Sequence, residues 1–210
     1  MNTDPLKFKE AQPFPHLVLD GACPEEILEA AMPAFDEASW QVFNGTHETK
    51  AQALPPPAAV PVFHWMNSLR PMLEEMTGIS GLELDLLGGG LHQTKMGGRL
   101  DMHVDFNRHP DGRYRRLNML LFANKNWQEG HGGILELGIK ADNAMGMRAN
   151  RIEPIWNRLV VFQTGEDTWH GHPWPWANQE GPRRSFAGYW YTREKPATVG
   201  REHSTVWADD

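Results

Sequence analysis

His103-Val104-Asp105 is a tripeptide whose side chains could share one metal ion. On a strand, residues i and i+2 point to the same face, so this imidazole and this carboxylate would project together. A distant histidine would complete a 2-His-1-carboxylate set. That set suits Fe(II), because it leaves coordination positions open for a co-substrate and oxygen. A second histidine signal follows at Trp169-His170-Gly171-His172, where His170 and His172 compete for the third ligand position. Both imidazoles would lie on one side of an extended segment, so spacing does not separate His170 from His172. Alone, the signal is weak: with 10 histidines in 210 residues, a His-x-Asp arises by chance about half the time. Its setting strengthens it. A loop is predicted over 107–112 directly after it, the histidine pair follows the apolar stretch LVVF, and an arginine pair comes about a dozen residues later.

Arg183 and Ser185 would share one strand face. A guanidinium clamps a carboxylate with two parallel hydrogen bonds, and a hydroxyl two residues on can add a third. Arg184 points to the other face and reads as a surface cation. A register shift of one residue would exchange the two arginines; the expectation here is Arg183.

These residues need a scaffold of strands. From residue 82 onward the chain reads as short strands split by turn signals, which predicts a mainly β sandwich or barrel. LNMLLFA, GGILEL, LVVF and SFAGYWY are the clearest of them. The glycine triplet 88–90 reads as a turn; no Lys-Ser/Thr follows it, so it is no phosphate cradle. Residues 1–80 read as helix-rich support. HLVLD at 16–20 predicts a strand. Pro24 opens a helix carrying Ile27, Leu28 and Ala31, and Pro33 breaks or restarts it. Residues 53–61, ALPPPAAVP, form a proline-rich connector that could close over a site as a lid. Residues 63–76 predict a helix kinked at Pro71, with Gly78 as its C-cap.

Composition limits the alternatives. A chain of 210 residues, 40% of them hydrophobic, can bury one good core as a single domain. The expected parts are 1–80, a core over 82–192 and a C-terminal tail over 193–210. The net charge of -7 and the lack of a basic stripe argue against a nucleic-acid partner. Cys23 is the single cysteine, which excludes an intramolecular disulfide and a thiolate zinc site. No secretory signal or membrane-spanning stretch is read, so a cytoplasmic protein without a membrane partner is expected.

The stretches HVDFN, LNMLLFANKNWQEGHGGILEL, IEPIWNRLVVF, His170 and RRSFAGYWYT resemble the prolyl-hydroxylase-like branch of the 2-oxoglutarate/Fe(II) oxygenase superfamily. The similarity runs from about Leu91 to Thr192. It implies a double-stranded β-helix, also called a jelly roll, with N-terminal supporting helices. It also implies His103, Asp105 and His170 as iron ligands and Arg183 as the 2-oxoglutarate anchor, with Ser185 beside it. The spacing from Pro-x-x-Asn-Arg-Leu-Val-x-Phe to the second histidine selects His170. In the family the residue two further on is usually aliphatic; here it is His172. In many members an aromatic hydroxyl also contacts the anchored carboxylate. Phe122 stands at that position and has no hydroxyl, so Asn118 or Gln93 is expected to supply the contact.

The resemblance implies a dioxygenase that uses Fe(II), 2-oxoglutarate and O2, with ascorbate as a supporting reductant. It would hydroxylate an unactivated C–H bond and release succinate and CO2. The substrate expected is a prolyl residue of a peptide or free proline, and another amino acid or biosynthetic intermediate is the alternative. Arg99, Arg113, Arg115 and Arg116 would either bind an acidic substrate or form a solvated loop. Trp174 and Trp176 would line the entrance or pack the turn before Arg183. A non-enzymatic jelly-roll binding module is the reading from another class.

Overall fold

In a computed structural model the chain is described over residues 5–139, 148–197 and 199–208. Two antiparallel sheets hold the site between them. The larger has seven strands in the order β1 (His16–Asp20), β9 (Arg158–Gln163), β6 (Tyr114–Phe122), β11 (Arg183–Thr192), β4 (Glu83–Thr94), β3 (Thr49–Ala53) and β2 (Gln41–Asn44). The smaller runs β12 (Val206–Trp207), β5 (Leu100–Val104), β10 (Trp169–His172), β7 (Leu135–Ile139) and β8 (Arg148–Ile152). This is the jelly roll that the sequence predicts.

The central strands read as almost unbroken apolar runs because both of their faces are covered. Alternation then sorts the residues. Leu117, Met119, Leu121, Leu159, Val161, Phe186 and Trp190 face a cluster built with the N-terminal helices. Phe122, Val160 and Phe162 face the other way, toward Leu135 and Leu137 of the smaller sheet. Five helices cover the outer face: α1 (Pro5–Glu10), α2 (Glu25–Ala31), α3 (Ala34–Glu37), α4 (Val60–Ser68) and α5 (Arg70–Thr77). Phe8, Leu28, Phe35, Met66 and Leu73 carry their apolar side chains into the cluster. Each such burial stabilises by roughly 1.5–3 kcal/mol.

The predicted kinked helix is two helices. Pro71 stands in the first turn of α5, where its missing N–H costs nothing. Gly78, at φ 73°, ends α5 with its N–H donating to Glu74. β2, β3 and β12 carried no clear pattern in the sequence.

Three expectations are corrected. Residues 88–90 make no turn; they lie inside β4, opposite a register shift between Ala187 and Tyr189. A Cβ on Gly89 would lie 2.6 Å from the Ala187 carbonyl, so the bulge requires glycine. Residues 53–61 do not close over the site. They complete β3, form a short 3-10 turn and open α4, and Ala59 is sealed in the helical core. The C-terminal residues are no loose tail, because Trp207 pairs with His103 across β12 and β5. Among the described residues no helix is long and apolar enough to cross a membrane.

Candidate metal centre

His103 and His170 are cross-strand partners on β5 and β10. Asp105 follows one residue beyond the end of β5. The three ligand atoms lie within 4.8 Å of one another. Nε2 of His103 is 3.7 Å from Asp105 Oδ1, and Nε2 of His170 is 3.1 Å from Asp105 Oδ2. The strands can approach this closely because residue 171 is glycine. A Cβ there would meet the Asp101 and Leu100 carbonyls at 2.7 and 2.8 Å.

Backbone carbonyls orient both rings. Nδ1–H of His103 donates to the Asp101 carbonyl at 2.8 Å, and Nδ1–H of His170 to the Thr168 carbonyl at 3.0 Å. A carbonyl only accepts, so the proton sits on Nδ1 and the Nε2 lone pair faces the centre. Burial pushes the His103 imidazole down to about 3, and His170 adds to the shift. Burial works against the Asp105 charge, but Arg115, His170 and His103 outweigh it and hold the carboxyl well below the usual range. Two imidazole nitrogens and one carboxylate oxygen on one side of a cavity match the donor set that suits Fe(II).

Arg115 is the residue that sequence reasoning misplaced. It is buried inside the site, not on a solvated loop. Its Nη2 lies 3.0 Å from Asp105 Oδ2, and its Nε donates to Asn118 Oδ1 at 2.8 Å. The guanidinium lies 3.6 Å from the centre of the Tyr189 ring and 4.8 Å from that of the Phe106 ring. The cause is a register shift between β6 and β11 at Trp190 and Tyr191. The shift inserts Arg116 and turns Arg115 onto the face of Asn118. Arg113 instead joins Glu83, Asp85 and Asp111, Arg116 donates to Thr192, and Arg99 pairs with Asp101.

Arg183 and Ser185 line the same cavity as the triad. Arg184 points the other way, to Asp36 and the Phe35 ring, so the register is the one expected. Nε of Arg183 donates to the Gly133 carbonyl at 2.7 Å, and the guanidinium lies over the Phe122 ring. Among the described residues no carboxylate pairs with it, and burial pushes its pKa down to about 9. A buried unpaired cation in a cavity fits an anionic ligand. Gly133, at φ 63°, makes room for it: a Cβ there would lie 2.6 Å from Trp176 and 2.9 Å from the Arg183 side chain.

The other two co-substrate candidates are placed differently. Asn118 lines the cavity, but its Nδ2 donates to Asp105 Oδ2 at 2.7 Å, so its amide is committed to that carboxylate. Gln93 is not in the cavity wall. Its strand neighbours His92 and Thr94 are, because alternation turns Gln93 to the opposite face. Trp176 packs beneath the turn before Arg183, and Trp174 is exposed; neither lines the cavity. The cavity has a volume of about 950 Å³ and is walled by residues of β3, β4, β5, β6, β10, β11 and β12. Glu48, Lys50, Glu202, His203 and Trp207 belong to its wall, and none was marked by the sequence.

Residues 89–191 match the family model of the 2OG-Fe(II) oxygenase superfamily. No curated protein matches the sequence. Among solved structures, a Pseudomonas putida prolyl-4-hydroxylase is similar at 20% identity and TM-score 0.60, covering 85% of this chain and 93% of that one. A Trichoplax adhaerens prolyl hydroxylase, in complex with a hypoxia inducible factor peptide fragment, is similar at 15% identity and TM-score 0.62, covering 91% and 88%. HygX from Streptomyces hygroscopicus, with nickel and 2-oxoglutarate bound, is similar at 13% identity and TM-score 0.57, covering 90% and 92%. At these identities the structures show the shared fold. The family match sets aside the reading as a non-enzymatic jelly-roll module. The chain belongs to the 2-oxoglutarate/Fe(II) oxygenase superfamily and is a dioxygenase whose cofactors are Fe(II) and 2-oxoglutarate.

Proposed function

We propose that this dioxygenase is a hydroxylase of a prolyl residue in a peptide, with His103, Asp105 and His170 holding Fe(II) and Arg183 and Ser185 holding the distal carboxylate of 2-oxoglutarate. The observation that carries the reading is the pairing of a His-Asp-His cluster with an uncompensated arginine in one cavity. When bound, Fe(II) with 2-oxoglutarate and O2 supplies the oxidation that converts a C–H bond to C–OH and releases succinate and CO2.

The chain's own residues orient and exclude. The Asp101 and Thr168 carbonyls keep the two imidazoles turned inward. Arg115 and Asn118 both bond Asp105 Oδ2, which leaves Oδ1 toward His103 and free to bind. Phe162 and Leu135 add apolar surface to the cavity wall, and an apolar surround strengthens charge interactions. A second groove, lined by Gln41, Leu54, Pro55 and Leu86, shares Gln52, Leu87 and Gly88 with the cavity. That continuity supports an extended substrate over a free amino acid.

The test is mass spectrometry of proline-containing peptides, free proline and other amino acids with Fe(II), ascorbate and 2-oxoglutarate. Gain of one oxygen on a peptide, matched by iron-dependent succinate, is the expected result. Oxygen gain on free amino acids alone would replace the peptide reading with the small-molecule one. No iron-dependent succinate under any condition would overturn the proposal.

A further inference from the structure

The imidazole of His172 has no place in the metal cluster, yet it lines the same cavity and is only 3% exposed. Five histidines wall that cavity. Four of them are tied to backbone carbonyls: His92 to Gly88, His103 to Asp101, His170 to Thr168 and His203 to Ser204. His172 has no hydrogen bond to a described residue, and its Nδ1 is sealed without a partner. Nδ1 is closed off from the cavity, so a cavity ligand would meet this ring at Nε2, the nitrogen left open to it.

The position of the ring gives it a use. Gly171 presses β10 against β5, and a register shift separates His170 from His172. The shift lets one imidazole face the triad while the other lines the wall it shares with Arg183. Phe122 offers only its ring face to Arg183, Asn118 is committed to Asp105, and Gln93 faces away. The hydroxyls of Ser185 and of Thr94, the cross-strand partner of Arg183, are the other donors on that wall.

We infer that His172 is a positioning residue for 2-oxoglutarate, donating a hydrogen bond to the carboxylate that Arg183 holds. The inference rests on the proposed co-substrate site. An imidazole N–H would do there what Phe122 cannot.

The test is calorimetric binding to protein loaded with Mn(II), without turnover, using 2-oxoglutarate and 2-oxopentanoate, which lacks the distal carboxylate. His172→Val should raise the 2-oxoglutarate Kd about ten- to a hundredfold, the worth of one hydrogen bond to a charged group. His172→Asn, which keeps a donor, should recover part of that loss. Binding of 2-oxopentanoate and of Mn(II) should be the same in wild type and His172→Val. An unchanged 2-oxoglutarate Kd would overturn the inference, as would an equal loss for both acids or a loss of Mn(II) affinity. Failure of the wild type to bind 2-oxoglutarate would instead overturn the site assignment itself.

Discussion

Replacing Arg183 with methionine should make the ligand-free protein more stable while destroying its affinity for 2-oxoglutarate. The Arg183 guanidinium is buried, and among the described residues no carboxylate compensates it. Burial lowers its pKa from 12.5 to about 9. At about 1.36 kcal/mol per unit, that is a penalty of roughly 5 kcal/mol at neutral pH. Relaxation and water entry reduce the real figure. Methionine keeps the apolar stem over Phe122 but loses the bond to the Gly133 carbonyl, which costs about 1–3 kcal/mol. A net gain of about 2 kcal/mol remains, equal to a rise in Tm of roughly 4–8 °C for a chain of this size. The pH dependence gives a second reading. Between pH 9 and 12.5 the unfolded chain holds the Arg183 proton and the folded chain does not, so this residue's penalty shrinks as pH rises from about 9. Buried Cys23, raised to about 12, titrates the opposite way in wild type and variant alike, so the stability advantage of Arg183→Met over wild type should narrow between pH 7 and 9.5. Thermal unfolding at pH 7 and 9.5, with calorimetric titration of 2-oxoglutarate, reads both effects. Arg184→Ala is the control and should leave the 2-oxoglutarate affinity unchanged, because its side chain faces Asp36. A less stable Arg183→Met protein, or one that binds 2-oxoglutarate normally, would refute the reasoning.

Asp105→Ala or His103→Ala should abolish succinate production and lower Mn(II) affinity while the far-ultraviolet circular dichroism stays native; substantial turnover in both variants would refute the ligand assignment. Metal-free protein should lose stability as pH falls below 6.5. His103 and His92 are lowered to about 3 and His172 well below its usual value, each chiefly by burial, so the unfolded chain takes up protons that the folded chain does not. At pH 5.5 the three together cost about 4 kcal/mol, measurable by urea unfolding at pH 7.5 and 5.5. Gly133→Ala should destabilise by about 2–4 kcal/mol and weaken 2-oxoglutarate binding, because its Cβ would press on Trp176 and Arg183 at a positive φ. Native-like melting and affinity in that variant would contradict the packing described.

Much of the fold could be read locally. HLVLD is β1 residue for residue, and LVVF and SFAGYWY lie in β9 and β11, because apolar runs bounded by polar and glycine residues can only be buried strands here. Pro24, Pro33 and Gly78 bound their helices as expected, since each acts through its own backbone angles. The two clusters His103-x-Asp105 and Arg183-x-Ser185 were also visible, because a period of two is a property of any extended chain.

What the chain pattern did not contain was the effect of bulges and crossings. The shift at Trp190 and Tyr191 turns Arg115 inward, and a strict alternation would leave it outside. The glycines at 88–90 looked like a turn because the strand that crowds Gly89 is a hundred residues away. Gln93 faces away from the cavity that its neighbours His92 and Thr94 line, because a single residue of register reverses the face. β12 holds two residues and acquires its place only by pairing with β5 beside His103. Residue types and their short spacing therefore determined which chemistry was possible. The tertiary structure alone decided which side chains share the cavity, because long-range strand register sets the face and a local sequence carries no record of its partner.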